Sequence, residues 1–512
     1  MIEENKSSMK NSVRRLIIAG IGVLIQIIWV VVLLMRLNEY SQIITLLTVA
    51  IELVLVLAVY SMDTNAAFKL PWIILITVAP IVGICVFFLF GRSGATKKVR
   101  ARYRKINQQL FAYLNQDEQI IDELSKKDER LANDFKYLWK CASSPVYKNT
   151  DVKYYGDTCD AMAAQLEDMM QAKKFIFLEY HAIEMAESFQ ALRKVLMAKA
   201  REGVEIRILY DDAGCIGFLN PRFIKYMESM GIQCRVFNPI MPVLNIFMNN
   251  RDHRKITVID GKVAYTGGYN LADEYFNITH PYGQWKDSGI RFEGDAVQTA
   301  TILFLEMWNA LREQDVDIEK YLPVYPYKAK EQGFFALYGD SPLDKEPAGE
   351  NVYMNLLRHA KKYIYFTTPY LILSDEMTRE LTGAAKRGVD VRIITPGIPD
   401  KKTIFQVTKS YYPQLLKHGV KIYEYTPGFM HEKQCICDGE IVVVGTINLD
   451  FRSLYLHFEN AALFCGYEAV SHVKEDFDAL FPICKDMSKE PSERTRRLRL
   501  SQLILRLFSP LM

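Results

Sequence analysis

The chain has 512 residues, 50% of them hydrophobic, and 63 Lys and Arg against 60 Asp and Glu leave a net charge of +3. That length excludes a single small module, and the near-neutral charge is too small to imply nucleic-acid binding on its own. Nine cysteines with no CxxC pair exclude a disulfide framework and predict reduced thiols on a body facing the cytosol.

The apolar excess gathers at the N-terminus, in the runs Leu16 to Met35, Ile43 to Tyr60 and Pro71 to Phe90. The first is long enough to cross a bilayer as a helix, and residues 1–91 read as a transmembrane region. A cleavable signal peptide fits poorly, because the first run is too long and no small-residue cleavage site follows it. Lys6, Lys10, Arg14 and Arg15 precede the region; Arg92, Lys97, Lys98, Arg100, Arg102, Arg104 and Lys105 follow it. The positive-inside rule then places both flanks in the cytosol, which requires an even number of crossings although three runs are visible. A carboxyl group at mid-bilayer costs roughly 2.5–3.5 kcal/mol, so Glu52 makes the second run a candidate for a re-entrant or interfacial segment. Residues 92–150 form a basic juxtamembrane and helical linker. Each cation of its collar contributes about 1 kcal/mol of attraction to anionic lipid.

From residue 151 the chain repeats itself. Lys173 to Tyr180 matches Lys361 to Thr368, each an aromatic and β-branched run typical of a buried strand. An amphipathic helix follows in each half, near 186–202 and 375–387, ending at Gly203 or Gly388 before a second strand. Gly231 to Val236 and Gly419 to Glu424 form a third matched pair. Alternation of strand and helix predicts a mostly parallel sheet covered by helices, an α/β fold of α-β-α layers. Two such halves, 151–330 and 331–490, make a bilobal body with pseudo-twofold symmetry, and the segment around Gln332 to Ala348 is the expected link. In residues 491–512, Arg494, Arg496, Arg497, Arg499 and Arg506 interleave with leucines as a basic amphipathic helix, lying on a membrane or docked on the body.

Each half reaches one sparse pattern, His-x-Lys-x4-Asp-x6-Gly. The first copy is His253, Lys255, Asp260, Gly267, Gly268 and Asn270; the second is His431, Lys433, Asp438, Gly445, Thr446 and Asn448. With only eight histidines in the chain, two matched copies argue for one composite site. His and Lys two apart on a strand face the same way, Asp260-Gly261 and Asp438-Gly439 read as hairpin turns, and the small residues beyond let backbone approach a ligand closely. Across the symmetry axis, two imidazoles, two ammonium groups and the amides of Asn270 and Asn448 would clamp a phosphate. One imidazole would attack phosphorus and the other would serve as acid and base. Asp287 and Glu459, each downstream of its motif, are candidates to orient the histidines. No cluster has metal-ligand spacing, and no cofactor is expected. Of the other histidines (181, 280, 359, 418, 457 and 472), read as structural or surface residues, His181 at a strand end is the one placed to line the site.

These motifs are the signature of the phospholipase D superfamily, and the chain resembles its bacterial cardiolipin synthases over nearly its whole length. The supporting stretches are Asn250 to Lys255, Gly267 to Asp273, Thr368-Pro369-Tyr370, Asn448 to Ser453 and Phe508 to Leu511. The resemblance implies that two phosphatidylglycerol molecules give cardiolipin and glycerol through a phosphatidyl-histidine. It implies His253 as nucleophile and His431 as acid and base, with Lys255, Lys433, Asp260 and Asp438 completing the catalytic motifs. It also implies anionic membrane lipids as partners and a multi-pass protein of the bacterial cell membrane, with its catalytic body cytosolic. Another phosphatidyltransferase or a hydrolytic phospholipase D remains the alternative, since the acceptor pocket is not legible; nucleic acid is not an expected partner. Oligomeric state is not readable from the sequence.

Overall fold

The computed structural model describes residues 42–88, 97–219, 222–240, 249–312, 315, 317–490 and 498–511, and parts of 21–36. The repeat folds as two sheets of matching order. The first half contributes β1 (Thr150–Tyr155), β2 (Phe175–Tyr180), β3 (Glu205–Asp211), β4 (Gln233–Phe237) and β5 (Arg251–Asp252). It continues with β6 (Lys255–Ile259), β7 (Val263–Gly267), β8 (Gln284–Lys286) and β9 (Gly289–Gly294). The second half contributes β10 (Phe334–Asp340), β11 (Tyr363–Thr367), β12 (Asp390–Pro396), β13 (Lys421–Tyr425) and β14 (Gly428–Met430). Then come β15 (Gln434–Cys437), β16 (Ile441–Gly445), β17 (His457–Cys465) and β18 (Cys484–Asp486).

The strand orders are β1-β9-β7-β6-β2-β3-β4 and β10-β17-β16-β15-β11-β12-β13-β18, strand for strand the same until the last. Two expectations are corrected here. Within these two orders only β2-β3-β4 and β11-β12-β13 run parallel; β1, β9, β7, β6 and β2 pair antiparallel, as do β10, β17, β16, β15 and β11. Helical crossovers join the parallel strands, whereas tight hairpins join the motif strands and force them antiparallel. The expected link also contains β10, which pairs with β17 as β1 pairs with β9; only the stretch before Phe334 and the turn after Asp340 are connecting chain.

The halves share one core. The helix Val297–Leu311, buried along nearly its whole length, packs on the first sheet and touches β10; the helix Glu468–Leu480 packs on the second and touches β1. Phe177, Phe292, Phe304, Phe335, Phe458 and Phe464 belong to this common cluster, and separate clusters lie under the outer helices of each half. Burying a side chain of this size contributes roughly 1.5–3 kcal/mol, so neither half retains its inner face without the other.

The first apolar run lies largely outside the described residues. The second is one helix, Gln42–Tyr60, with Glu52 at its middle. The third is broken at Ala79 into Ala66–Val78 and Pro80–Val86. Proline at the first position of the second piece cannot continue the hydrogen-bond ladder, and Gly83 sits so close to Ile76 that a Cβ would come within 2.5 Å of its Cα. The third run thus folds back on itself. Among the described residues no helix is long and apolar enough to cross a membrane. The junction between the second and third runs docks on the body: Asn65 donates to Glu376 at 3.0 Å, and Phe68 packs edge-on against Phe451 and Tyr455. The C-terminal helix Leu500–Leu507 docks too, with Gln502 buried, Arg506 stacked on Tyr411, and Leu500, Leu503 and Ile504 outward. Of its expected arginines, 494, 496 and 497 lie outside the described residues.

Candidate active site

The two motifs are joined by a reciprocal exchange of short strands. β5, which leads into His253, pairs in parallel with β17 of the second half; β14, which leads into His431, pairs with β8 of the first. The His253 amide donates to the Phe458 carbonyl at 2.9 Å, and the His431 amide to the Lys286 carbonyl at 2.8 Å. The residue after each of those carbonyls is a carboxylate. His253 Nδ1 bonds to Glu459 Oε2 at 2.8 Å, and His431 Nδ1 bonds to Asp287 Oδ2 at 2.5 Å. Both orienting candidates thus contact an imidazole, but crosswise: each carboxylate serves the histidine of the other half. A carbonyl or carboxylate accepts a hydrogen bond from Nδ1–H, which fixes the proton on Nδ1 and leaves Nε2 with a lone pair.

The carboxylates are held differently. Asp287 Oδ1 accepts from the Ser288 amide at 2.9 Å, and Gly268 leaves the space it occupies, since a Cβ there would lie 2.1 Å from Oδ1. Glu459 is one methylene longer, and Thr446, the counterpart of Gly268, donates its hydroxyl to Glu459 Oε2. The departure of Thr446 from the motif is thus matched to the longer acid. Gly267 and Gly445 admit neighbouring strand backbone, not a ligand: a Cβ would meet the Ser288 carbonyl at 2.4 Å in one half and the Asn460 carbonyl at 2.4 Å in the other.

Lys255 and Lys433 are buried; Lys255 Nζ donates to the His253 carbonyl at 2.7 Å, and Lys433 Nζ lies 2.7 Å from His431 Nδ1. Burial lowers Lys255 to about 7 and Lys433 to about 8, with the neighbouring ammonium adding to the effect at Lys255 and Asp287 and Glu459 opposing it. Burial also pushes both catalytic-motif imidazoles well below the ordinary histidine value. Lys255 and Lys433 each act on the histidine of the opposite motif as well as their own, which marks one shared electrostatic site. Burial raises Asp287 to about 6 against the pull of Lys433.

Asn270 Oδ1 accepts from the Ala182 amide at 3.1 Å and its amide donates to the Tyr275 hydroxyl at 2.8 Å; Asn448 donates to Asp450. Each carboxamide has a second N–H beyond that contact. Asp260 and Asp438 are not part of this cluster. Each follows a motif strand by its far end, and Asp260 accepts backbone N–H groups from Lys173, Lys174 and Phe175 at 2.7–2.9 Å. Asp438 does the same for Lys361, Lys362 and Tyr363 at 2.8 Å. At about 3.3 Å per residue, the carboxylates sit some five residues of strand from the lysines. Their φ angles of 54° and 55°, with Gly261 and Gly439 also positive, are those of a two-residue hairpin turn. They tie the hairpin to the strand beside it.

Several site residues had no motif to announce them. His431 is walled by Tyr275, Trp285 and Phe429, with ring centroids 5.1, 5.1 and 5.8 Å away. His253 instead faces His181 at 5.0 Å and His457 at 5.5 Å. Lys401 adds positive potential to both motif histidines. Trp285 and His457 lie two residues before Asp287 and Glu459, on the same strand face, and that spacing was available as a signal. His253, His457 and Glu459 offer ligand atoms within 4.8 Å of one another, a grouping the sequence spacing hides. Hydrogen-bond and ion-pair contacts also account for that gathering, since His457 Nδ1 lies 3.4 Å from Glu459 Oε1 while His253 holds Oε2.

Comparison with known proteins places these features in a family. Residues 166–308 and 353–481 match the model described as cardiolipin synthase, phospholipase D-like domain. A cardiolipin synthase of Halalkalibacterium halodurans is 31% identical over 86% of this chain and 87% of its own length. Cardiolipin synthase 2 of Bacillus anthracis is 30% identical over 86% of each. An uncharacterized protein of Streptococcus mutans is 39% identical over 90% of this chain and 99% of its own. A phosphatidylserine synthase structure from Haemophilus influenzae, 13% identical, covers 70% of this chain and 93% of its own with a TM-score of 0.54, a likeness of fold. The chain belongs to the cardiolipin synthase family of phospholipase D-like proteins.

Proposed function

We propose that this enzyme is a cardiolipin synthase, moving a phosphatidyl group from one phosphatidylglycerol to a second and releasing glycerol through a phosphatidyl-histidine. The observation that carries the reading is the crosswise pair His253–Glu459 and His431–Asp287, with Lys255 and Lys433 beside it. His253 Nε2 attacks phosphorus; the bond to the headgroup oxygen breaks, and His431 supplies the proton to the departing glycerol. A hydroxyl of the second lipid then gives its proton to His431 while its oxygen displaces His253. The anionic diester raises the proton affinity of the neighbouring imidazole, which offsets the burial that lowers it. Lys255, Lys433 and the remaining N–H groups of Asn270 and Asn448 stabilise the charge that develops on phosphorus oxygens.

The N-terminal apolar region embeds the enzyme in the bacterial cell membrane, with the body on the cytosolic face. Outward Ile43, Leu46, Leu47, Leu53, Val54 and Leu57 support this, as do the collar from Arg92 to Lys105 and the outward leucines of the C-terminal helix. Incubating the purified chain with phosphatidylglycerol alone tests the activity. Cardiolipin plus glycerol is expected; phosphatidic acid as the sole product would establish a hydrolase instead.

A further inference from the structure

The pseudo-twofold axis relates the motif backbones but not the walls around the two imidazoles. Counted from the motif histidines, Phe429 corresponds to Arg251 and Tyr275 to Ser453; counted from the orienting acids, Trp285 corresponds to His457. His181, at the end of β2, corresponds to Pro369 at the end of β11, since Ile183 and Leu371 make equivalent bridges to Leu271 and Leu449. His431 therefore stands among Tyr275, Trp285 and Phe429, and His253 beside His181 and His457.

His181 has a ring nitrogen to spare. Its Nδ1 lies 2.7 Å from the Asp252 carbonyl, which can only accept, so Nδ1 carries the proton. Burial, with nearby His253 and Lys255, lowers its proton affinity and keeps the ring neutral. Nε2 is then a lone pair, and among the described residues it has no hydrogen-bond partner. An acceptor is out of place in a phosphate site, where the oxygens of a diester are themselves acceptors and the useful groups are Lys255 and Lys433. It is suited to a hydroxyl. The headgroup of an entering phosphatidylglycerol has two, one to attack phosphorus and a neighbour that stays intact.

We propose that His181 is a specificity-determining residue that accepts a hydrogen bond from the non-reacting hydroxyl of a 1,2-diol acceptor, beside the phosphorus held on His253. This rests on the transfer reaction proposed above. The attacking hydroxyl still forms the new oxygen–phosphorus bond, breaks the bond to His253 and passes its proton to His431; His181 takes part in neither bond. Water and alcohols with a single nearby hydroxyl lack the second contact and are disfavoured as acceptors.

Competition between acceptors reads this independently of how much enzyme is active. The full chain in mixed micelles is given phosphatidylglycerol with equal deuterated glycerol and 1,3-propanediol, which differ by the hydroxyl in question, and the deuterated phosphatidylglycerol and phosphatidylpropanediol formed are counted by mass spectrometry. The unsubstituted protein is expected to favour glycerol by about tenfold, the size of one hydrogen bond of roughly 1–1.5 kcal/mol. His181→Phe is expected to bring the ratio near one. His181→Gln, whose amide can donate to Asp252 while its Oε1 accepts, is expected to restore most of it. Equal use of the two alcohols by the unsubstituted chain, or a preference that survives in His181→Phe, overturns the proposal. If the unsubstituted chain transfers phosphatidyl to neither alcohol and makes no cardiolipin, it is the transfer reading that fails.

Discussion

The unlike anchoring of the two orienting acids can be tested by transplanting one into the other's place. At Gly268 an added Cβ would lie 2.1 Å from Asp287 Oδ1, about 1.3 Å inside ordinary contact. Relieving that overlap moves the carboxylate by a comparable distance and takes its 2.5 Å bond to His431 beyond hydrogen-bond range. A hydrogen bond to a charged group contributes roughly 1.5–3 kcal/mol, so Gly268→Ala should lower kcat about 10- to 150-fold. Gly268→Thr should do at least as much harm, although threonine occupies the corresponding place in the other half. Adding Asp287→Glu supplies the longer acid that Thr446 is built to hold, and the double variant Gly268→Thr/Asp287→Glu should recover a tenfold or greater part of the loss. Steady-state cardiolipin formation with the four proteins of this cycle measures the coupling. Activity of Gly268→Ala within twofold of the unsubstituted enzyme, or strictly additive losses in the double variant, would refute the matched-pair account.

Glu459→Gln removes a charge bonded to His253 and the largest group favouring the Lys255 ammonium; rapid-quench trapping should show slower adduct formation, and the alkaline limb of the rate profile should move to lower pH. Asp260→Asn and Asp438→Asn should leave kcat per folded molecule near normal while lowering stability by roughly 1–3 kcal/mol, read as a fall in Tm. Activity that needs charged Lys255 and Lys433 should decline as pH rises through about 7 to about 8. Stability should run the other way: between those values and the ordinary lysine value near 10.4, the unfolded chain binds protons that the folded one has released. Stability therefore rises with pH across that window, and Tm compared at pH 6.5 and 9.5 checks the sign.

Motif identity was legible because the repeat preserved spacing through both halves. Spacing alone could not separate roles, which is why Asp260 and Asp438 read as catalytic. A residue that ties a hairpin to its neighbouring strand recurs as faithfully as one that meets substrate. Asp287 and Glu459 were recognisable as acids downstream of their motifs, but their crosswise assignment depends on which strands β5 and β14 choose as partners, a tertiary event without a local signal. The Asp-Gly turns carried the information that the motif strands are antiparallel, yet strand–helix alternation elsewhere outweighed them in the expected sheet. β10 was hidden by Pro342 and Pro347, which made its surroundings look like a linker. Glu52 drew attention to the second apolar run, whereas Pro80 and Gly83 shape the third.

The exchange of β5 and β14 has a consequence for how such a protein can be divided. Cutting the chain near residue 331 would leave two fragments, each with a histidine whose orienting acid belongs to the other and an inner face stripped of its cover. In descent and in engineering alike, the smallest working unit is then a handshake between two lobes, and the peptide that joins them serves to keep the concentration of each lobe near the other high.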